Sequence, residues 1–282
     1  MPFGGLKVLS LESRRAKEME TLIRREGGDP FIAPSVQERA LDDHREALGF
    51  VDRLQAGEFD LVICMTGAGL SFLRDLALAD SKLEVLAEGL RNTFIVCRGP
   101  KPVPILRELG ARAQLVVPEP NTWKEVVDAV ASRPERRIAV QEYGRPNYEM
   151  NAALHALGAK VTSFAIYRWD LPPDIEPLRE AARRLAAREI DVVLFTSSVQ
   201  LDHLFQIAQG MGIAQDVRAT LSDYAAIASV GPIMTEALEA AGWTPDIIPI
   251  HPKMAGLVRA SAELAAVVLA RKRQRAHVRP GL

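Results

Sequence analysis

The chain has too few cysteines to be held together by disulfides. Only Cys64 and Cys97 occur in 282 residues. Both lie in apolar runs, LVIC and FIVC, and read as small buried hydrophobes, not as a disulfide framework or a zinc site. Histidine is also sparse. The five residues His44, His155, His203, His251 and His277 have no ligand spacing, so no metal centre is expected. Long apolar runs are missing: no stretch reaches the roughly 18 residues a membrane helix needs, and MPFGGLKVLSLESRR carries no apolar signal region. A cytoplasmic protein without membrane contact is expected. The net charge is −1 with a pI near 6.6, so no global field draws the molecule to nucleic acid, and an anionic ligand must be met by a local patch.

Familiar motifs are absent as well. There is no GxxxxGK[ST] loop, no GxSxG and no HExxH. Thr66-Gly67-Ala68-Gly69 begins like a dinucleotide fingerprint, but Phe72 stands where its third glycine belongs. A nicotinamide cofactor and ordinary nucleotide-triphosphate binding are therefore disfavoured.

What the chain does contain is a duplication. The block KVLSLESRRAKEMETLIRREGGDPFIAP recurs as RIAVQEYGRPNYEMNAALHALGAKVTSFAIY, with Met19 matching Met150 and Gly27 matching Gly158. FDLVICMTGAGLSFLRDL recurs as IDVVLFTSSVQLDHLFQI, with Asp60 matching Asp191. TFIVCRGPKPVPILRELGARAQLVVPE recurs as AAIASVGPIMTEALEAAGWTPDIIPIHP, with Gly99-Pro100 matching Gly231-Pro232. Each block runs from an apolar strand rich in Val and Ile through a polar turn into a helix. This pattern predicts an α/β class with doubly wound parallel sheets, and the length favours two domains. Proline and charge cluster at Ala33–Arg39 and Tyr167–Asp174, where the chain is expected to cross between them. The final ARKRQRAHVRPGL reads as a frayed basic tail.

Ligands of open parallel sheets bind at the carboxyl ends of the strands. The candidate turns are therefore Leu11–Arg15, Thr66–Ser71, Arg98–Lys101, Gln141–Tyr148, Thr196–Gln200 and Gly231–Thr235, all rich in hydrogen-bond donors or glycine.

In order and spacing, IYRWDLPPD, DVVLFTSS and ASVGPIMTEALEAAGWTPDIIPIHPKMAGLVRA resemble uroporphyrinogen-III synthase. The resemblance runs from Lys7 to Leu269, and V-G-P-x-x-T-E-A-L-x-x-x-G at Val230–Gly242 is its most specific element. Two features depart from the family pattern: Thr66-Gly67 and Thr196-Ser197-Ser198 replace Thr/Ser-Pro, and Arg98-Gly99-Pro100-Lys101 lacks the threonine kept in Gly231–Thr235. The resemblance implies two flavodoxin-like domains joined by two linking strands, with the active site in the cleft. Residues 1–36 plus 172–269 would form one domain, residues 41–167 the other, and 270–282 the basic tail.

The implied reaction is that of tetrapyrrole biosynthesis without a cofactor. Hydroxymethylbilane, a linear tetrapyrrole with eight carboxylates, loses its hydroxyl as water and closes with the terminal pyrrole inverted. The implied partners are this substrate and, transiently, the upstream deaminase, for a chain expected to be a monomer. Tyr167 would donate a proton or hydrogen bond to the departing hydroxyl, or else pack as a strand-end aromatic beside Trp169. Thr235 would bind a carboxylate or cap its helix. Thr66, Gly67, Thr196, Ser197 and Ser198, with the turns at Gly99 and Gly231-Pro232, would offer hydroxyls and N–H groups. Arg14, Arg98, Lys101, Arg145, Arg168 and Lys253 would form a cationic lining, and Tyr143-Gly144 a cleft wall. A non-catalytic two-domain sensor of a small ligand and a doubly wound oxidoreductase are the alternatives from other classes.

Overall fold

The computed structural model describes residues 2–278. Along the chain come β1 (Lys7–Ser10), α1 (Ala16–Arg25), β2 (Asp29–Ile32) and β3 (Gln37–Ala40). Next are α2 (Arg45–Gln55), β4 (Leu61–Cys64), α3 (Gly67–Ala79), α4 (Leu83–Arg91), β5 (Phe94–Cys97), α5 (Val103–Glu108), β6 (Leu115–Val116) and α6 (Trp123–Ala131). They are followed by β7 (Arg137–Gln141), α7 (Tyr148–Ala156), β8 (Lys160–Phe164), β9 (Tyr167–Asp170) and α8 (Glu176–Ala186). The chain ends with β10 (Val192–Phe195), α9 (Ser198–Gly210), α10 (Ala214–Asp223), β11 (Ala226–Ser229), α11 (Pro232–Ala240) and α12 (Met254–Val278).

These elements form two compact units, one of Met1–Gln37 with Asp170–Leu282 and one of Glu38–Trp169. The first unit holds a parallel sheet of order β11-β10-β1-β2, the second one of order β6-β5-β4-β7-β8, and β3 pairs with β9 in an antiparallel two-strand linker. Counted along the chain, the strands of the first sheet, extended by the parallel bridge between Ala228 and Ile247, stand in the order 2-1-3-4-5. This is the flavodoxin-like order. The second sheet reads 3-2-1-4-5 along the chain, but counting from β7, the repeat of β1, restores 2-1-3-4-5. Exchange of one block between two copies of the same fold explains this permutation.

The repeat is visible in individual hydrogen bonds. Asp60 N–H donates to Arg137 O at 2.9 Å, as Asp191 N–H donates to Lys7 O at 2.9 Å. Each of these aspartates also accepts, through its carboxylate, the N–H of the same strand residue, Arg137 at 3.1 Å and Lys7 at 2.8 Å. Arg98 N–H donates to Cys64 O at 3.1 Å, as Val230 N–H donates to Phe195 O at 3.0 Å.

Alternation within the strands gives each sheet two buried faces. In β4, Val62 and Cys64 join the core with Phe50, Leu73 and Leu90, while Leu61 and Ile63 join the opposite core with Val126, Met150 and Leu154. In β10, Val193 and Phe195 pack with Leu178 and Leu204, while Val192 and Leu194 pack with Met19, Leu257 and Ala265. The two cysteines are free, buried and paired in register across β4 and β5.

The segment expected to fray from residue 270 is corrected by the structure: α12 continues through Val278. The reason is docking of its basic side chains. Lys272 Nζ donates to Leu221 O at 2.9 Å, Ala225 O at 2.8 Å and Asp246 Oδ2 at 2.6 Å, and Arg273 pairs with Asp191 at 2.6 Å. Lysine and arginine have long apolar stems that lie along the unit while their heads reach these partners. Residues 279–282 of the expected tail lie outside the described residues.

Candidate active site

In the 2-1-3-4-5 order the sheet changes direction of growth between strands 1 and 3, so the loops after them diverge and leave a crevice. In the second unit this point lies between β7 and β4, in the first between β1 and β10. Most of the expected site residues follow these strands or their neighbours.

In the second unit, Thr66 follows β4 and caps α3. Its hydroxyl accepts from Gly69 N–H at 3.0 Å and shares a hydrogen bond of 3.2 Å with the Tyr167 phenol. Tyr167 is only 1% exposed, with its ring stacked on Phe72 at 5.6 Å. The aromatic beside Trp169 is instead Tyr143, whose ring meets it edge-on at 5.7 Å. The Tyr167 phenol is thus held within the unit, and Thr66, half-buried, is the more accessible partner of the pair.

Arg98 follows β5 and lays its guanidinium over the Tyr143 ring, 5.0 Å from the centroid. Burial pulls its pKa below the ordinary arginine value, an effect opposed by the nearby Tyr143 and Tyr167 phenols. Gly144 lies in the left-handed region at φ +75°, and a Cβ there would stand 2.6 Å from the Trp169 ring, so the turn after Tyr143 requires glycine. Gly67 packs its α-carbon against the Lys101 carbonyl, and Gly99 packs against the Asn121 side chain. Sequence reasoning brought Thr66, Gly67, Arg98, Tyr143 and Tyr167 into view; the fold places the first four just after the adjacent strands β4, β5 and β7, and Tyr167 at the start of β9.

Gln141, Phe72 and Trp169 were not among the expected site residues. Gln141 Oε1 accepts from Thr66 N–H at 3.3 Å. In the first unit the same task belongs to Gln200, whose Oε1 accepts from Ser197 N–H at 3.3 Å and from Thr196 N–H at 2.8 Å. Aligning Asp60 with Asp191 puts Gly69 opposite Gln200, and a Cβ at Gly69 would meet the Gln141 amide at 2.0 Å. A glutamine amide therefore anchors the helix start in both units, supplied by the helix in one and by a neighbouring strand in the other. The glycine in place of Gln200 was the available signal.

In the first unit, Thr196 Oγ1 donates to Glu12 Oε2 at 2.7 Å, across the β1/β10 point. Ser198 is buried at the start of α9. Thr235 is not a helix cap: α11 begins at Pro232 after Gly231, and the Thr235 hydroxyl bonds to the buried Ser229 hydroxyl at 2.9 Å. Gly231 packs against Pro252. Lys253 precedes α12, where its carbonyl accepts from Leu257 N–H at 2.9 Å.

Of the six expected cations, Arg14, Lys101, Arg145, Arg168 and Lys253 are exposed, and Arg98 alone is half-buried. Glu142, beside Gln141, is buried, and its pKa is raised by burial against hydrogen bonds from Ser163, Asn151 and the Asn147 backbone. Among the described residues no helix is long and apolar enough to cross a membrane, and no group of three or more His, Cys, Asp or Glu could hold a metal ion.

Comparison with known proteins places these features in context. The family described as uroporphyrinogen-III synthase HemD matches residues 17–259. An uncharacterized Bacillus subtilis protein, YjjA, is 27% identical over 256 residues, 90% of this chain and 94% of its own. A Methanothermobacter thermautotrophicus protein named provisionally as a uroporphyrinogen-III synthase is 28% identical over 232 residues, 82% of this chain and 87% of its own. Among solved structures, a mutant uroporphyrinogen III synthase from the extremely thermophilic bacterium Thermus thermophilus shares the fold, with a TM-score of 0.65 and 22% identity over 96% of this chain and all of that one.

Proposed function

Because the chain belongs to the uroporphyrinogen-III synthase HemD family, we propose that it catalyses the cyclisation of hydroxymethylbilane with loss of water and inversion of the terminal pyrrole. The observation that carries the reading, beyond membership, is the pairing of the Tyr167 phenol with the Thr66 hydroxyl at a strand end of the second unit, 3.2 Å apart. Departure of the substrate hydroxyl as water needs a proton delivered to it, and a paired phenol and alcohol can pass one. Tyr167 is buried and Thr66 is not fully so. In this reading the proton reaches the substrate through the Thr66 hydroxyl, with Tyr167 behind it.

Loss of water leaves a cationic azafulvene. The rest of the task is positioning: the enzyme must hold the chain so that the cation meets the substituted carbon of the far pyrrole before the unsubstituted one. Holding two ends of one flexible molecule in attack geometry can contribute several kcal/mol, up to roughly 7–11 in favourable cases. The Gly67 N–H and the hydroxyls of Ser197 and Ser198 are the proposed contacts to carboxylates, while Thr66 and Thr196, whose N–H groups are taken by Gln141 and Gln200, hold the turns in shape, with the exposed cations Arg14, Lys101, Arg145, Arg168 and Lys253 as an outer lining. Gly99, Gly144, Gly231 and Pro232 shape the loops, and Thr235 fixes the loop between β11 and α11 from within.

The test is a coupled assay in which a deaminase supplies hydroxymethylbilane and the type-III and type-I porphyrins are separated after oxidation. The reading expects type III from the wild type. It expects Tyr167→Phe and Thr66→Val each to lower turnover by about 100-fold, the lower end of the range for a lost general acid. Loss from one variant and none from the other would reject the relay.

A further inference from the structure

Arg98 is the one cation of the second unit's strand ends that the fold itself does not account for. Its guanidinium is partly withdrawn from water and lies 5.0 Å over the Tyr143 ring, yet among the described residues it has no carboxylate partner and no hydrogen-bonded acceptor. Buried charges are normally paired, and a polar group left without a partner calls for an explanation. Several other arginines of this unit are paired: Arg137 is bound to Asp60, Arg53 to Glu58 at 2.7 Å and Arg133 to Glu135 at 2.7 Å.

The duplication supplies an internal control. The residue matching Arg98 in the first unit is Val230, which makes the same backbone bond to the neighbouring strand and packs against both cores of its sheet. A strand end of this shape is therefore satisfied by a valine. Nothing in the backbone or in the sheet requires an arginine there, so the guanidinium serves something other than folding.

We propose that Arg98 is a carboxylate receptor, a preformed cationic seat over the Tyr143 ring that takes one carboxylate of a polycarboxylate ligand. The planar fork of a guanidinium matches a carboxylate through two parallel N–H···O bonds, and an aromatic face beneath it limits its rotation. The identity of the ligand as the linear tetrapyrrole rests on the cyclase reading above, whereas the seat itself does not.

The test uses the full chain and uroporphyrin I, a stable octacarboxylate, in equilibrium dialysis at two salt concentrations, with urea unfolding followed in parallel. Arg98→Val copies the matching residue of the other unit, and Arg98→Lys keeps the charge without the fork. The expected result is at least a tenfold loss of affinity for Arg98→Val, a shallower salt dependence, partial recovery in Arg98→Lys, and an unfolding midpoint equal to or above that of the wild type. Affinity within twofold of the wild type in a folded Arg98→Val protein would overturn the proposal. So would a lowered midpoint with unchanged affinity, which would mark Arg98 as a packing residue, or a wild type that binds no uroporphyrin I. A wild type that binds the octacarboxylate through Arg98 but makes no type-III product would retain the seat and reject the cyclase.

Discussion

Replacing Lys272 with methionine tests whether the C-terminal helix is part of the first unit or merely attached to it. The lysine side chain is 12% exposed and its partner Asp246 19%, so the pair is largely, not fully, withdrawn from water. Its ammonium makes three short hydrogen bonds, to two carbonyls and one carboxylate. Asp246 in turn accepts Ile227 N–H at 2.8 Å, which ties α12 to β11. Methionine keeps most of the apolar stem but leaves two carbonyls and a carboxylate without their cation. Breaking a buried pair from one side costs about 3–5 kcal/mol, and partial exposure reduces this to about 2–3 kcal/mol. For a unit of this size that corresponds to a fall in Tm of roughly 4–12 °C. Trp243 reports on the same unit, since its Nε1 donates to Ser222 Oγ at 3.0 Å, one residue beyond Leu221. Urea unfolding followed by tryptophan fluorescence, with Arg273→Met at the 44% exposed partner of Asp191 as control, measures the difference. The control should cost under about 1 kcal/mol. A Lys272→Met loss equal to that of the control would refute the docking argument.

Gly144→Ala should destabilise the second unit by about 1–3 kcal/mol, because it combines a left-handed backbone with a clash against Trp169; a red shift of Trp169 emission, measured with Trp123 and Trp243 replaced, checks the local cause. Glu142 has a folded pKa raised by burial, so above the unfolded glutamate pKa of about 4.3 the folded state holds more protons than the unfolded one. Stability from this group is therefore present at low pH and lost as pH rises from there through the folded pKa. Glu142→Gln should flatten that decline in urea midpoints between pH 4 and 7, and an unchanged slope would show that another group causes it.

Much of this architecture was legible because the chain states it twice. The Asp60/Asp191 and Gly99/Gly231 pairs marked strand starts and ends, and apolar runs such as LVIC and VVLF are fully buried strands, as a doubly covered parallel sheet requires. The turns at Thr66, Arg98 and Tyr143 were legible for the same reason, since a strand end in such a sheet is a fixed place. What the sequence concealed were contacts set by side-chain reach. Gln141 anchors Thr66 from a different strand, a contact at which the sequence hinted only through the glycine that stands opposite Gln200. Tyr167 turns inward onto Phe72, a choice made by the shape of the core. The basic C-terminal run was misread because composition cannot distinguish a solvated lysine from one whose ammonium finds two helix-end carbonyls and an aspartate.

The central claim is tested most directly by the isomer ratio as a function of protein concentration, with hydroxymethylbilane released at a constant rate. The account predicts that the type-III fraction rises with added protein until type I, the product of unassisted closure, is nearly eliminated, and that Tyr167→Phe shifts this titration to higher protein concentration. A type-III fraction that stays at the level of the protein-free control, with the chain shown to be folded, would contradict it.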